Sequence, residues 1–564
     1  MRMFRRLTIT FLRKGILQTF GLALLVAGLS AGGFGCGSKG GEIATKADQD
    51  AGIFRLNLSA QVSSLDPAFA DNQANTWAAV QLFNGLLRYG SDGQLEGDLA
   101  LRWSASEDGK IHTFFLRKNA WFHADPAFAD SARVANADDV VFSFRRLLDP
   151  ALGADGFWVF NGVFRPQDVV ALNDSTVQIT LLKPFQPFLS RLTMPYCSVL
   201  PPEVVEHYGA DFRNHPVGTG PFLLAEWKEG EKLRLSRHPR YFGRDQSGAP
   251  LPYLEGVQFS FMSAKGTEFL KFRNGELDFV SDLDAEFLDQ VLSENGELNP
   301  AYEGQMLLQR GPYFNTEYLG INLEAAAGTP LADRRVRQAL SWGIDRRRMI
   351  DFQRNGKGIP AEAGMVPPSL LAGESETGRP AGYGYRYDPN RASALLTEAG
   401  FPGGRGLPEV VLRTNDQYMD ICLFLQAQWK ELGIPVRVEN MDGKILRESM
   451  VTGQSVFFRA SWIADYPDAE SYLALFLGEY GAPPNYTRTR IPAFDALYHR
   501  AAAEPDQTRR LALYRSMDSL VATEAAAIPL YYDEVLLLTR PGVTGVELNA
   551  LNLLRLEQVR KSRP

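Results

Sequence analysis

Arg459, Trp462, Asp465 and Tyr466 fall in one short segment, Arg459-Ala460-Ser461-Trp462-Ile463-Ala464-Asp465-Tyr466, which combines opposite charges with two aromatic rings. An arginine's planar fork suits a carboxylate, to which it donates two parallel bonds. An aspartate suits an ammonium, and a tryptophan supplies a flat apolar wall. Such a set could hold a molecule charged at both ends, so all four are candidate ligand-binding residues. Spacing alone also allows a plainer reading, in which Asp465 caps a turn before Pro467 and Arg459 pairs with a surface acid.

Patterns for bond-breaking chemistry fail. The chain has no HExxH, P-loop or CxxC pattern. Gly28-Leu29-Ser30-Ala31-Gly32 fits GxSxG but lies inside an apolar N-terminal segment, where no strand-to-helix elbow forms. The six histidines (His112, His123, His207, His215, His238, His499) are scattered without helical ligand spacing. Asp282, Asp284 and Glu286 alternate, but no glycine follows where an EF-hand loop needs one. No catalytic residue, metal or cofactor is expected, and the chain reads as a non-enzyme.

The N-terminus points to export. Arg2, Arg5, Arg6, Arg13 and Lys14 precede an uncharged stretch, Gly15 to Gly35, with the apolar core Leu22 to Ala27 and small residues before Cys36. Gly35 before Cys36 resembles the lipobox of bacterial lipoproteins, in which the cysteine is diacylated, although Gly33 stands where leucine is usual. The alternative is a retained membrane anchor, since about 20 apolar residues span a bilayer. Glycine content breaks up a long helix and favours the lipoprotein. Either way the rest of the chain lies outside the membrane. The whole chain carries a net charge of -7, and those five basic groups belong to the export segment, so the remainder is more acidic still. A nucleic-acid partner is excluded, because phosphate binding needs a basic face. Cys197 and Cys422 read as buried free thiols, with a bridge in an oxidising compartment as the alternative.

At 564 residues the chain is too long for a single core. Residues 1–36 form the signal and 37–52 a flexible tether. Beyond them, strands and helices interleave without a repeat, as in an α/β architecture. Phe54 to Leu58 and Val177 to Leu181 alternate like strands. Asn136 caps a helix with Asp138 and Asp139 in its first turn; Asp388 and Pro389 open another, stopped by Gly400. Ile421 to Leu432, Gly433 and Pro435 to Val438 read as helix, turn and strand of a βαβ layer.

An ordered series of segments then resembles the peptide-binding class of ABC solute-binding proteins, the bacterial extracellular solute-binding protein family 5. It includes Leu65-Asp66-Pro67, Gln81 to Leu86, Leu99 to Ser104, Phe122-His123, Ala137 to Phe144, Val217 to Phe222, Tyr318 to Asn322, Asp333 to Ser341 and Asp465 to Asp468. The resemblance implies a two-lobed periplasmic-binding-protein-like (type II) fold with an additional α/β domain. Lobe I would comprise 53–90, 215–316 and 533–564, the extra domain 91–214, and lobe II 317–532, with hinge crossings at Tyr318 to Asn322 and Ile528 to Tyr532. It further implies a monomer in the periplasm, lipid-anchored through Cys36, that passes peptide ligands to the permease subunits of an ABC importer. In that family an aspartate at the position of Asp465 holds the ligand's ammonium, and an arginine at that of Arg459 meets a short ligand's carboxylate. Asn57 to Leu65 and Tyr313 to Asn315 would border the cleft. Oligosaccharide, nickel chelate and opine are alternative ligands within the same fold.

Overall fold

The structure, a computed structural model, describes residues 52–562 apart from 91–92, 284, 294–295 and 372–383. The export segment, Cys36 and all of the tether but Gly52 lie outside the described residues.

Alternation buries Phe54, Leu56 and Leu58 on strand Ile53–Leu58. That strand lies parallel to Gly256–Phe261 in a four-stranded sheet continuing through Lys232–Arg237 and Phe222–Lys228. An antiparallel four-stranded sheet runs in the order Ala100–Ala105, Ile111–Leu116, Thr176–Thr180, Val169–Asn173. Helix Ala137–Leu147 begins as its sequence dictates. Asn136 Oδ1 accepts from the backbone N–H groups of Asp138 and Asp139, and the Asp139 carboxylate accepts from Asn136 N at 2.8 Å. Its Val140, Phe144 and Leu147 enter a core shared with both sheets.

Three of the resemblance-bearing segments meet in this core. Gly220 N donates to Leu82 O (2.9 Å), His123 N to Gly218 O (2.8 Å), and Thr219 Oγ1 to Asn84 Oδ1 (3.0 Å). A Cβ on Gly218 would overlap the Leu82 carbonyl oxygen and the Phe83 ring, and backbone cannot step aside. Gly218→Ala is therefore expected to lower stability by about 1–3 kcal/mol, read from the denaturant midpoint. Gly481→Ala, where a Cβ meets nothing within 4 Å, should leave the midpoint unchanged.

A seven-stranded sheet carries the rest. Its order is Phe279–Ser281, Ala527–Thr539, Leu307–Ile321, Phe457–Ile463, Val410–Thr414, Val436–Asn440, with Ile359–Pro360 on Ala527–Thr539. Val410–Thr414, helix Met419–Glu431 and the parallel strand Val436–Asn440 form the βαβ unit expected from the sequence. Period-two alternation sends neighbours into different layers. Leu319, Ile321, Phe457 and Leu412 pack with Trp429 on one face; Tyr318, Phe458 and Ala460 pack with Tyr472 and Tyr514 on the other.

Two long strands, Leu307–Ile321 and Ala527–Thr539, pair side by side through the seven-stranded sheet, inside one compact unit. Leu307 to Pro312 pair with Glu534 to Thr539 beside a core that includes Phe269 and Phe272. Thr316 to Gly320 pair with Ala527 to Tyr532 between the two layers just described. The register breaks between Pro312 and Thr316. Arg310–Glu534 and Arg354–Asp533 ion pairs, both 2.6 Å, bracket the break. We call residues up to this junction, together with the chain after it returns, the first body, and the intervening residues the second.

Candidate functional site

Strand Phe457–Ile463 ends against Asn315, and Ala464 N donates to Phe314 O at 2.8 Å. Asp465 therefore starts a turn at the junction of the bodies. Within that turn Asp468 does the capping, accepting from Glu470 N at 2.8 Å. Asp465 is left with little. Its N–H donates to Ser471 Oγ (3.1 Å), and its Oδ2 accepts from the same hydroxyl at 3.4 Å. A half-buried carboxylate with one long hydrogen bond is poorly compensated for its lost water. Burial pushes it up to about 7; Arg191 opposes the shift and Glu470 adds to it.

The surroundings of Asp465 come from both bodies. The Tyr196 phenol of the first body is raised by burial and by the charges of Asp465, Asp71 and Asp155. Arg447 of the second body offsets these charges. Asp155 is itself raised, by burial and then by Asp71. Asp71 and Asp155 also line a cavity of about 670 Å³ with Ser63, Ser64 and Phe69. Arg146 and Arg213 line the same cavity, so acids and bases alternate around it, and the poorly compensated group beside it is Asp465 itself.

The structure does not bring the four sequence candidates to one point. Arg459 and Trp462 are three residues apart on a strand and so lie on opposite faces. Arg459 is 7% exposed and forms an ion pair with Glu317, itself 2% exposed. The acid is a buried one, not the surface partner of the plainer reading. Tyr418 stacks under the guanidinium. Burial opposes the charge on Arg459, but Glu317, Tyr418 and Tyr531 outweigh it and hold the group above its ordinary range. Asn315 Nδ2 donates to Glu317 Oε1 at 3.1 Å. Trp462 packs part-buried beside the Tyr318 layer, with its Nε1 lacking a hydrogen-bond partner among the described residues. Tyr466 is 1% exposed and inserts into the core of the first body.

Asn57 is buried, its Nδ2 donating to Met262 O at 2.9 Å, and Ser63 N donates to Asn75 Oδ1. Cys197 and Cys422 are buried and unbridged. Sequence reasoning missed Glu317, Tyr418, Arg191, Tyr196, Asp71 and Asp155. Only Glu317 carries a local signal, as a charge directly before the apolar run Tyr318-Leu319-Gly320-Ile321. Among the described residues, no group of three His, Cys, Asp or Glu side chains has the arrangement of a metal site.

Comparison with known proteins covers nearly the whole chain. Residues 94–484 match the family described as bacterial extracellular solute-binding proteins, family 5. Dipeptide-binding protein DppE of Bacillus subtilis is 26% identical over 97% of this chain and 100% of its own. Heme-binding protein A of Haemophilus influenzae is 27% identical, covering 82% and 84%. The structure of DppA from Helicobacter pylori in complex with peptide STSA superposes with a TM-score of 0.77 at 23% identity, covering 92% of this chain and 100% of that one. The α/β architecture is that of periplasmic binding proteins of this type.

Proposed function

Because the chain belongs to family 5 of the bacterial extracellular solute-binding proteins, a family of binding proteins and not of enzymes, we propose that it captures peptides and delivers them to an ABC importer. The observation that carries the peptide reading is Asp465, a carboxylate with one long hydrogen bond, half-buried at the junction of the two bodies. A peptide's ammonium would compensate it in a water-poor site, where charge attraction is less screened. Among the relatives, DppE is named for dipeptides and the Helicobacter pylori structure holds a peptide, which favours that ligand over the heme of Heme-binding protein A.

In this reading the two bodies are lobes that close about the paired strands at the register break. Ligand affinity for the closed form supplies the bias. The extended ligand backbone takes strand-like hydrogen bonds and water fills the side-chain pockets. Arg459, already neutralised by Glu317, is a poor receptor for the ligand's carboxylate, so the amino end dominates recognition. The protein works outside the cytoplasmic membrane, held there by lipid on Cys36.

Native mass spectrometry with a mixed tripeptide library tests this. The free-amino library should be retained and the same library N-acetylated should not. Equal retention of both, or retention of neither, overturns the proposal. Retention should also weaken about fourfold between pH 8 and pH 6: a carboxyl pushed up to about 7 takes up a proton and loses about tenfold, while the ligand's amine, with an ordinary pKa of about 8, becomes fully charged and recovers about two- to threefold.

A further inference from the structure

Arg191 closes the short helix Phe188–Arg191 of the first body and is 3% exposed, yet its guanidinium donates to two residues of the second and one of its own. Its Nη1 donates to Val159 O at 3.2 Å on its own side. Across the boundary Nε donates to Tyr466 OH at 3.1 Å and Nη2 to Glu470 Oε1 at 3.4 Å. The Tyr466 hydroxyl in turn donates to Glu470 Oε2, and the Tyr498 hydroxyl to Glu470 Oε1. Gln186 N, just ahead of this helix, donates to Ala502 O at 2.9 Å. Among the described residues between the junction strands, Tyr466 is the one that joins the buried core of the first body.

A guanidinium is expensive to hold out of water unless an acid and hydrogen-bond acceptors meet it. Arg191 is therefore buried at low cost only while the Tyr466–Glu470 turn is seated on it. With the bodies apart, Arg191 returns to water and Glu470 keeps only the Tyr466 and Tyr498 hydroxyls of its own body. The arrangement is stable in one relative position of the bodies. Asp465 precedes Tyr466 in the chain, so whatever seats Tyr466 also places Asp465.

We propose that Arg191 is a positioning residue for recognition of the ligand's amino end: supplied by one lobe, it seats the Tyr466–Glu470 turn of the other and so couples closure to the placing of Asp465. This rests on the reading of Asp465 as the ammonium's partner. The electrostatics agree. Of the groups that face Asp465, Arg191 favours its charged form while Glu470 opposes it, and Tyr196, Tyr472, Asp71, Asp155 and Arg447 surround the same space.

The test uses the full chain and the tripeptide that binds best in the library experiment, free and N-acetylated, titrated calorimetrically from pH 5 to pH 9. Arg191→Met should weaken the free-amino tripeptide at least tenfold and move the midpoint of its pH profile upward, because the cation that favours the charged Asp465 is gone. Arg191→Lys should recover part of both effects. If Arg191→Met does not fold, Tyr466→Phe, which removes only the seated hydroxyl, carries the test through a smaller loss of affinity. Wild-type affinity in these variants overturns the inference. So does an equal weakening of free and acetylated tripeptide with an unmoved midpoint, which would make Arg191 a contact of closure alone. Asp465→Asn, run in parallel, separates the two claims: if it binds the free-amino tripeptide as wild type does, the reading of Asp465 fails whatever Arg191 does.

Discussion

Glu317→Ala is expected to lower the unfolding free energy by about 3–5 kcal/mol, the cost of leaving a buried charge without its partner. Arg459 is 7% exposed and cannot turn to water, because it is held between the strand Leu307–Ile321 and the Tyr418 ring. Its Nε already lacks a hydrogen-bond partner among the described residues, so loss of the carboxylate leaves the group doubly exposed to desolvation. Glu317→Gln, which keeps an acceptor, should cost less. Replacing both members by apolar residues of similar size, Glu317→Leu with Arg459→Met, should restore most of the loss, since no charge then remains to be buried. Urea unfolding followed by tryptophan fluorescence measures all three. A single variant within about 1 kcal/mol of wild type would show that Arg459 is solvated and free to meet a ligand's carboxylate, contrary to the role given to Glu317 here.

That pairing also shows where reading the sequence stopped. Local rules were legible because their partners are neighbours: Asn136 caps its helix with Asp139 three residues on, Pro389 and Gly400 bracket another helix, and Gly433 turns the helix Met419–Glu431 into a parallel strand. The ordered family segments were legible for a different reason. Gln81 to Leu86, Phe122-His123 and Val217 to Phe222 converge on one another, so their residue types are fixed by mutual close approach and say more about fold than ligand. Glu317 and Arg459 are 142 positions apart, and Arg191 and Tyr466 are 275 apart. No period or spacing joins such pairs. Period-two geometry does carry one point: an odd separation along a strand puts Arg459 and Trp462 on opposite faces. Asp465 escaped that geometry because the strand ends at Ile463.

Asp465→Asn should move stability and affinity in opposite directions, which distinguishes a ligand-binding carboxylate from one that serves the fold. The carboxyl is raised from an ordinary value of 3.8 to about 7, mainly by burial. Between those values the folded state keeps a proton that the unfolded state has released, so stability falls as pH rises through this window. Asparagine carries no charge to desolvate. The variant should therefore unfold at higher urea than wild type at pH 8, and the difference should vanish by pH 4. Binding runs the other way. Loss of a charged acceptor for an ammonium costs about 1.5–3 kcal/mol, or about 10- to 150-fold in Kd for free-amino tripeptides at pH 8. The loss of affinity below pH 7 should disappear in the variant, leaving only the titration of the ligand's amine at about pH 8. An Asp465→Asn protein that is no more stable than wild type at pH 8 and binds free-amino tripeptides as tightly would return Asp465 to a turn-forming role, like that of Asp468. A protein that is both more stable and a weaker binder would mean that this turn retains an unfavourable charge because the ligand needs it.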